Sequence, residues 1–197
     1  MIGTQPSKLS TAALVLLGLV LGSASAAVLW LRPVQSAAVS PVEGTSTPII
    51  TPAPAPVVGA TAPTFALANL GGERVDLRVL RGSPLVLNFW ATWCETCRTE
   101  MPLLQSHYEA GRSAGLRILA INFDEPEPLV RSFVDELGLT FDILLDPGAY
   151  VQGLYRVRGY PTTFFVDARG VIRGHKVGAM EASELEAFLA DIGIGAP

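Results

Sequence analysis

Both cysteines of the chain, Cys94 and Cys97, lie in one C-x-x-C within PLVLNFWATWCETCRTEMP, residues 84–102. That spacing just before a helix is the arrangement of a dithiol/disulfide couple. A cysteine at a helix N-terminus faces unpaired backbone N–H groups and the positive end of the helix dipole, and both favour its thiolate. Cys94 is therefore the expected attacking sulfur. Cys97, about one turn on, is the more buried partner that resolves a mixed disulfide. Glu95 and Thr96 lie between them and tune the couple. The Glu95 anion opposes the thiolate and favours a reducing pair, although an acid is also an ordinary residue of a first helical turn. Arg98 offers a charge to offset it. Trp93 and Trp90 flank the pair, and Trp90, inside a buried strand, reads as core filling.

Two blander readings compete. A structural disulfide closing so short a loop constrains the unfolded chain by only about 2 kcal/mol, an inefficient staple for a domain with its own core. A zinc site would need His107 and His175 beside the cysteines, and both read as ordinary surface or partly buried histidines. No metal and no cofactor are expected.

The elements around the pair follow from periodicity. Leu85 to Trp90 is nearly continuous apolar sequence, which suits a strand covered on both faces. A helix is expected from Glu95 to about Ser113, with Met101, Leu104 and Tyr108 on one side and a kink at Pro102. Upstream, Thr64–Leu70 and Glu73–Leu77 read as a hairpin about Gly71-Gly72. Downstream come a strand (Leu116–Phe123) and a helix (Pro126–Leu137) with Leu129, Val130, Phe133 and Leu137 inward, ended by Gly138. A strand (Phe141–Leu145) and a short helix (Ala149–Tyr155) come next. Two strands, Thr162–Val166 and Val171–Val177, then form a hairpin, and a last helix is capped by Ser183. This is an α/β fold, a mixed central sheet flanked by helices, laid out as a thioredoxin-like domain.

The chain has 197 residues, is 49% hydrophobic and 16% charged, and carries a formal net charge of −4. No basic stripe argues for nucleic acid, and one cysteine pair is too few for a disulfide-stapled scaffold. Ala12 to Leu31 is free of formal charge and long enough to cross a bilayer. Residues 1–32 therefore read as a cytoplasmic stub and a transmembrane anchor. The alternative is a signal peptide cleaved after Ala24-Ser25-Ala26. Either reading exports the remainder of the chain. Residues 33–58, with prolines at 33, 41, 48, 52, 54 and 56, form an extended linker, and 59–197 form the domain.

Three further positions attract a functional reading. Asn88 is a polar side chain in an apolar strand, and either points under the dithiol or occupies a less buried strand end. Glu125, at a strand's C-terminal end, reads equally as a base near the dithiol or as part of a solvated helix start. Pro161, in Tyr160-Pro161-Thr162, is either a strand-entry proline or a cis bond.

Together these residues resemble the TlpA/ResA-like branch of the thioredoxin superfamily, membrane-tethered extracytoplasmic thiol–disulfide oxidoreductases. The likeness rests on Ala62-Pro63-x-Phe65, Leu80-Arg81-Gly82, the run from Pro84 to Cys94 and Arg98-x-Glu100-Met101-Pro102. It spans about Ala62 to Leu189. The resemblance implies that Cys94 attacks and Cys97 resolves, and that Pro161 is a cis-proline against the dithiol. The backbone of Tyr160 would then contact a bound client, and Trp93 and Thr162 are read with it as substrate-binding residues. Glu125 resembles an acid near the active site of cytochrome c maturation members. Asn88 stands where typical thioredoxins carry a buried acid. The segment from Pro126 to Asp146 resembles the branch's extra helix and strand. Glu95-Thr96 lacks the proline frequent in such motifs, so no redox potential carries over. The implied partners are protein thiol or disulfide clients, apocytochrome c among them, and a membrane electron donor. The domain is read as a monomer. Competing readings are a thiol peroxidase, which would place Ser or Thr where Ala91 stands, and a Cu(I)-binding chaperone.

Overall fold

The structure is a computed structural model describing residues 53–195; the expected anchor and most of the linker lie outside the described residues. Among those described, no helix is long and apolar enough to cross a membrane. The folded unit takes in the end of the expected linker. Ala55 N–H donates to the Thr61 carbonyl at 3.0 Å, and Gly59 N–H to the Ile172 carbonyl at 2.8 Å.

Seven strands form one mixed sheet: β1 (Ala66–Asn69), β2 (Arg74–Asp76), β3 (Leu85–Trp90), β4 (Arg117–Phe123), β5 (Asp142–Asp146), β6 (Thr162–Val166) and β7 (Ile172–Val177). Their order is β2-β1-β5-β4-β3-β6-β7. The central strands β3, β4 and β5 run parallel, and β1 and β6 flank them antiparallel. The hairpins β1–β2 and β6–β7 close the two edges. Parallel strands need cover on both faces, and β3 is buried at every residue.

The pleat of β3 divides the core. Val86 and Trp90 join the layer beneath α1 (Glu95–Gly111), α2 (Glu127–Leu137) and α4 (Ala182–Asp191), which contribute Met101, Leu104, Val130, Phe133, Leu185 and Leu189. Leu85, Leu87 and Phe89 join the opposite layer, which holds Val151 of the short helix α3 (Tyr150–Leu154). There the Phe89 ring lies 5.2 Å from that of Tyr155, whose hydroxyl donates to the Pro63 carbonyl at 2.7 Å.

Two local expectations are corrected. In α2 the buried residues are Val130, Phe133 and Val134, while Leu129 is 50% exposed. The inward stripe counts i, i+3, i+4 from Val130, which turns Leu129 about 100° away. The α4 cap is Glu181, not Ser183: Glu181 and Glu184 exchange side-chain and backbone bonds as a capping box. Ser183 falls inside the first turn. Gly138 ends α2 in the left-handed region, as expected.

The packing of α4 on β7 depends on a missing side chain. A Cβ on Gly174 would lie 2.4 Å from Phe188 Cδ1, and the Phe188 ring stacks on Phe165 at 4.5 Å. Gly174→Ala is expected to destabilise the domain by about 1–3 kcal/mol through overpacking, read as a lower urea midpoint. An unchanged midpoint would show that Phe188 moves aside without cost.

Candidate active site

Strand β3 delivers the chain to the C-terminal end of the sheet's parallel strands, and Ala91 to Trp93 turn it into α1. Cys94 is the N-cap, with extended backbone (φ −86°, ψ 103°), and its Sγ accepts the Cys97 N–H at 3.1 Å. The Thr96 hydroxyl lies 3.4 Å from the same sulfur. Cys94 and Cys97 are joined as a disulfide. Cys94 keeps 7% of its surface exposed and Cys97 none, so an incoming thiol or disulfide meets Cys94 first. Glu95 and Thr96 are exposed in the first turn.

Arg98 does not serve Glu95. Its guanidinium sits 4.5 Å over the Phe133 ring and bonds Glu136 at 2.6 Å, because its side chain packs towards α2. Trp90 is wholly buried with its ring 4.7 Å from that of Phe133, as a core residue. Trp93 is 65% exposed and meets the edge of the Tyr160 ring at 5.6 Å. Phe123 lies 5.6 Å from Tyr160 on another side. These rings form an aromatic rim beside Cys94.

The Tyr160–Pro161 peptide bond is cis. Gly178 N–H donates to the Pro161 carbonyl at 2.8 Å, and the Thr162 hydroxyl to the Gly159 carbonyl at 2.7 Å. Thr162 is 2% exposed. Its side chain therefore closes the loop from within. The Tyr160 hydroxyl donates to Gln152 Oε1. Burial, with Asp146 and Glu125 nearby, pushes that phenol up to about 12.

Glu125 holds the loop before the dithiol. Its carboxylate accepts the Thr92 N–H at 2.7 Å, the Thr92 hydroxyl at 2.6 Å and Asn122 Nδ2 at 2.7 Å. With Asn122 on β4, this clamps the turn ahead of Cys94 to the neighbouring strand.

A second acid lies underneath. Glu100 is 3% exposed; its carboxylate accepts the Met180 N–H at 3.0 Å and Asn88 Nδ2 at 3.2 Å. Asn88, wholly buried, also donates to Thr163 Oγ1 at 2.9 Å. The less buried reading of Asn88 is thus wrong: it points from β3 towards α1 and meets an acid there. Burial raises the Glu100 carboxyl to about 7, against the opposing pull of the Met180 and Asn88 bonds and of the Lys176 charge. Glu100 stands three residues after Cys97 on one helix face. Sequence reasoning does not single it out as a site. The signal is present all the same, since Cys97, Glu100, Met101 and Leu104 share the buried stripe, where an acid is out of place.

Among the described residues no three His, Cys, Asp or Glu side chains converge as metal ligands. His107 is 3.0 Å from the Leu103 carbonyl, and His175 stacks on Phe164 at 4.3 Å. Neither is placed with the cysteines.

Comparison with known proteins agrees with this geometry. The profile of the AhpC/TSA family matches residues 58–175. The thiol-disulfide oxidoreductase ResA of Geobacillus kaustophilus is 39% identical over 135 residues, covering 68% of this chain and 78% of that protein. ResA of Bacillus anthracis is 35% identical over the same length and shares. A secreted Mycobacterium tuberculosis disulfide oxidoreductase, described as homologous to Escherichia coli DsbE, superposes with a TM-score of 0.58 at 29% identity, covering 64% of this chain and 94% of that one. The chain belongs to the AhpC/TSA family and, within the thioredoxin superfamily, to the TlpA/ResA-like thiol–disulfide oxidoreductases.

Proposed function

We propose that the chain is a protein-disulfide reductase whose catalytic domain works outside the cytoplasm, held there by the apolar run Ala12–Leu31. The observation that carries the reading is the position of Cys94, a helix N-cap sulfur that keeps 7% of its surface exposed beside a fully buried Cys97. The likeness to a secreted oxidoreductase supports the compartment. Ala91, three residues before Cys94, is buried and has no hydroxyl, which favours dithiol exchange over peroxide reduction.

In the reduced protein the Cys94 thiolate attacks one sulfur of a client disulfide. A Cys94–client bond forms, and the other client sulfur leaves as a thiolate. Cys97 then gives up its proton and attacks Cys94 Sγ, forming the intramolecular disulfide and releasing the second client thiolate. Two electrons pass from the dithiol to the client. Trp93 and the Tyr160–Pro161 loop flank the client, Glu125 fixes the turn that presents Cys94, and Thr162 braces the proline loop. Glu100, with a pKa of about 7 one helical turn from Cys97, takes up the Cys97 proton, and Asn88 holds its carboxylate in place. A membrane electron donor re-reduces the pair, and apocytochrome c cysteines are one client class.

In single turnover with a disulfide-bonded peptide, Cys97→Ala is expected to accumulate a covalent Cys94–peptide adduct, seen as added mass. Cys94→Ala should form none. An equally fast adduct on Cys97 would reverse the assigned roles.

Glu100 makes stability depend on pH. Its folded pKa of about 7 exceeds the ordinary 4.5, so the folded state binds the proton more tightly. Stability from this group is fully present below about pH 4.5 and is lost as pH rises through about 7. Glu100→Gln removes the charge, so the variant should gain on the wild type by on the order of 2 kcal/mol between pH 5 and pH 8. It should also flatten the pH dependence of Cys97 attack near 7. A stability difference constant across that range would exclude a buried titration at Glu100.

A further inference from the structure

A groove of about 340 Å³ opens beside the Tyr160–Pro161 loop, lined by Arg156 to Gly159 and by β6 and β7. β6 enters and β7 leaves the sheet there, at the end where β3 delivers the dithiol. Phe164, Val157 and Val177 give the groove an apolar surface, and no Asp or Glu is among its lining residues. Its charge comes from Arg156 and Arg158, both exposed. Among the described residues neither meets a carboxylate, whereas Arg98, Arg117, Arg173 and Lys176 each do.

Arg156 sits in a conformation that argues for its side chain. It follows the C-cap of α3 with φ of 54°, the left-handed region that glycine occupies without steric cost. Local folding therefore gains nothing from an arginine here. What the side chain adds is a guanidinium, whose planar fork matches a carboxylate. The chain as a whole carries a net charge of −4, so this patch is a local reversal of sign at the end of the sheet where β3 delivers the dithiol. Such complementarity raises encounter rates and selects among partners.

We propose that Arg156 and Arg158 form a docking groove for client polypeptides that carry Asp or Glu beside their disulfide, guiding them past Tyr160 to Cys94. The inference rests on the disulfide-exchange reading above and names the client chemistry that the same site prefers.

The test uses the full chain, reduced and freed of reductant, and three synthetic disulfide peptides that differ only in having Glu, Gln or Lys around the cysteines. The second-order rate of peptide reduction is measured at low and high salt. The Glu peptide should react about fivefold faster than the Gln peptide and the Lys peptide more slowly still, with the spread shrinking as salt screens the charges. In Arg156→Gly/Arg158→Gln the Glu-to-Gln ratio should fall towards one. The melting temperature of Arg156→Gly alone should not fall, because glycine fits that backbone, so lost preference is not lost folding. Equal rates for the Glu and Gln peptides, or a preference that survives in the double variant, would overturn the docking proposal and leave disulfide exchange standing. If none of the three peptides is reduced, the exchange reading falls and the docking proposal with it.

Discussion

The Cys94 sulfur takes the place of an N-cap oxygen at the start of α1, receiving the Cys97 N–H at 3.1 Å. That contact ties the chemistry of the pair to the helix dipole and to the unpaired amides of the first turn. Other features of the fold keep the helix end where it is. β3 is fully buried between its neighbours, so its last residue is a fixed point. Glu125 clamps Thr92 to β4, and the Tyr160–Pro161 loop closes the other side under its bonds to Gly178 and Thr162. A helix terminus frayed or shifted by one residue would lose both the capping bond and the asymmetry of exposure between the two sulfurs.

The buried Glu100 works against that stabilisation. An acid taken out of water favours its neutral form, and only the Met180 amide, Asn88 and the distant Lys176 charge support its anion. Ionised, it is a negative charge one turn from Cys97 on the same buried face of α1. With Glu95 exposed in the first turn, both acids near the pair disfavour thiolates there. A less stable reduced form is a stronger electron donor, so the helix N-terminus and the two carboxyl groups pull the couple in opposite directions.

Much of this is legible in the sequence. The apolar run Leu85–Trp90 and the C-x-x-C specify the central strand and the helix start, and the same position at the helix end motivates the attacking and resolving order proposed for the pair. Residues that act through contacts across the sheet are harder to read. Glu125 reads as base or as solvated helix start because its partner, Thr92, lies across a strand gap. Asn88 gains its meaning only when β3 faces α1 and Glu100. Proximity in the chain pairs Arg98 with Glu95, yet the helix surface carries it to Phe133 and Glu136. Thr162 reads as a substrate-binding residue, and the loop closure that buries it is invisible in a linear chain.

The measurement that bears most directly on the central claim is the reduction potential of the Cys94–Cys97 pair, equilibrated against glutathione or dithiothreitol buffers at pH 7. Opposition to thiolates by Glu95 and Glu100 predicts a value near the thioredoxin range of about −270 mV. A value near about −120 mV would mean that the reduced form is the stabilised one. It would contradict the reductase account and make the pair a donor of disulfides to its clients.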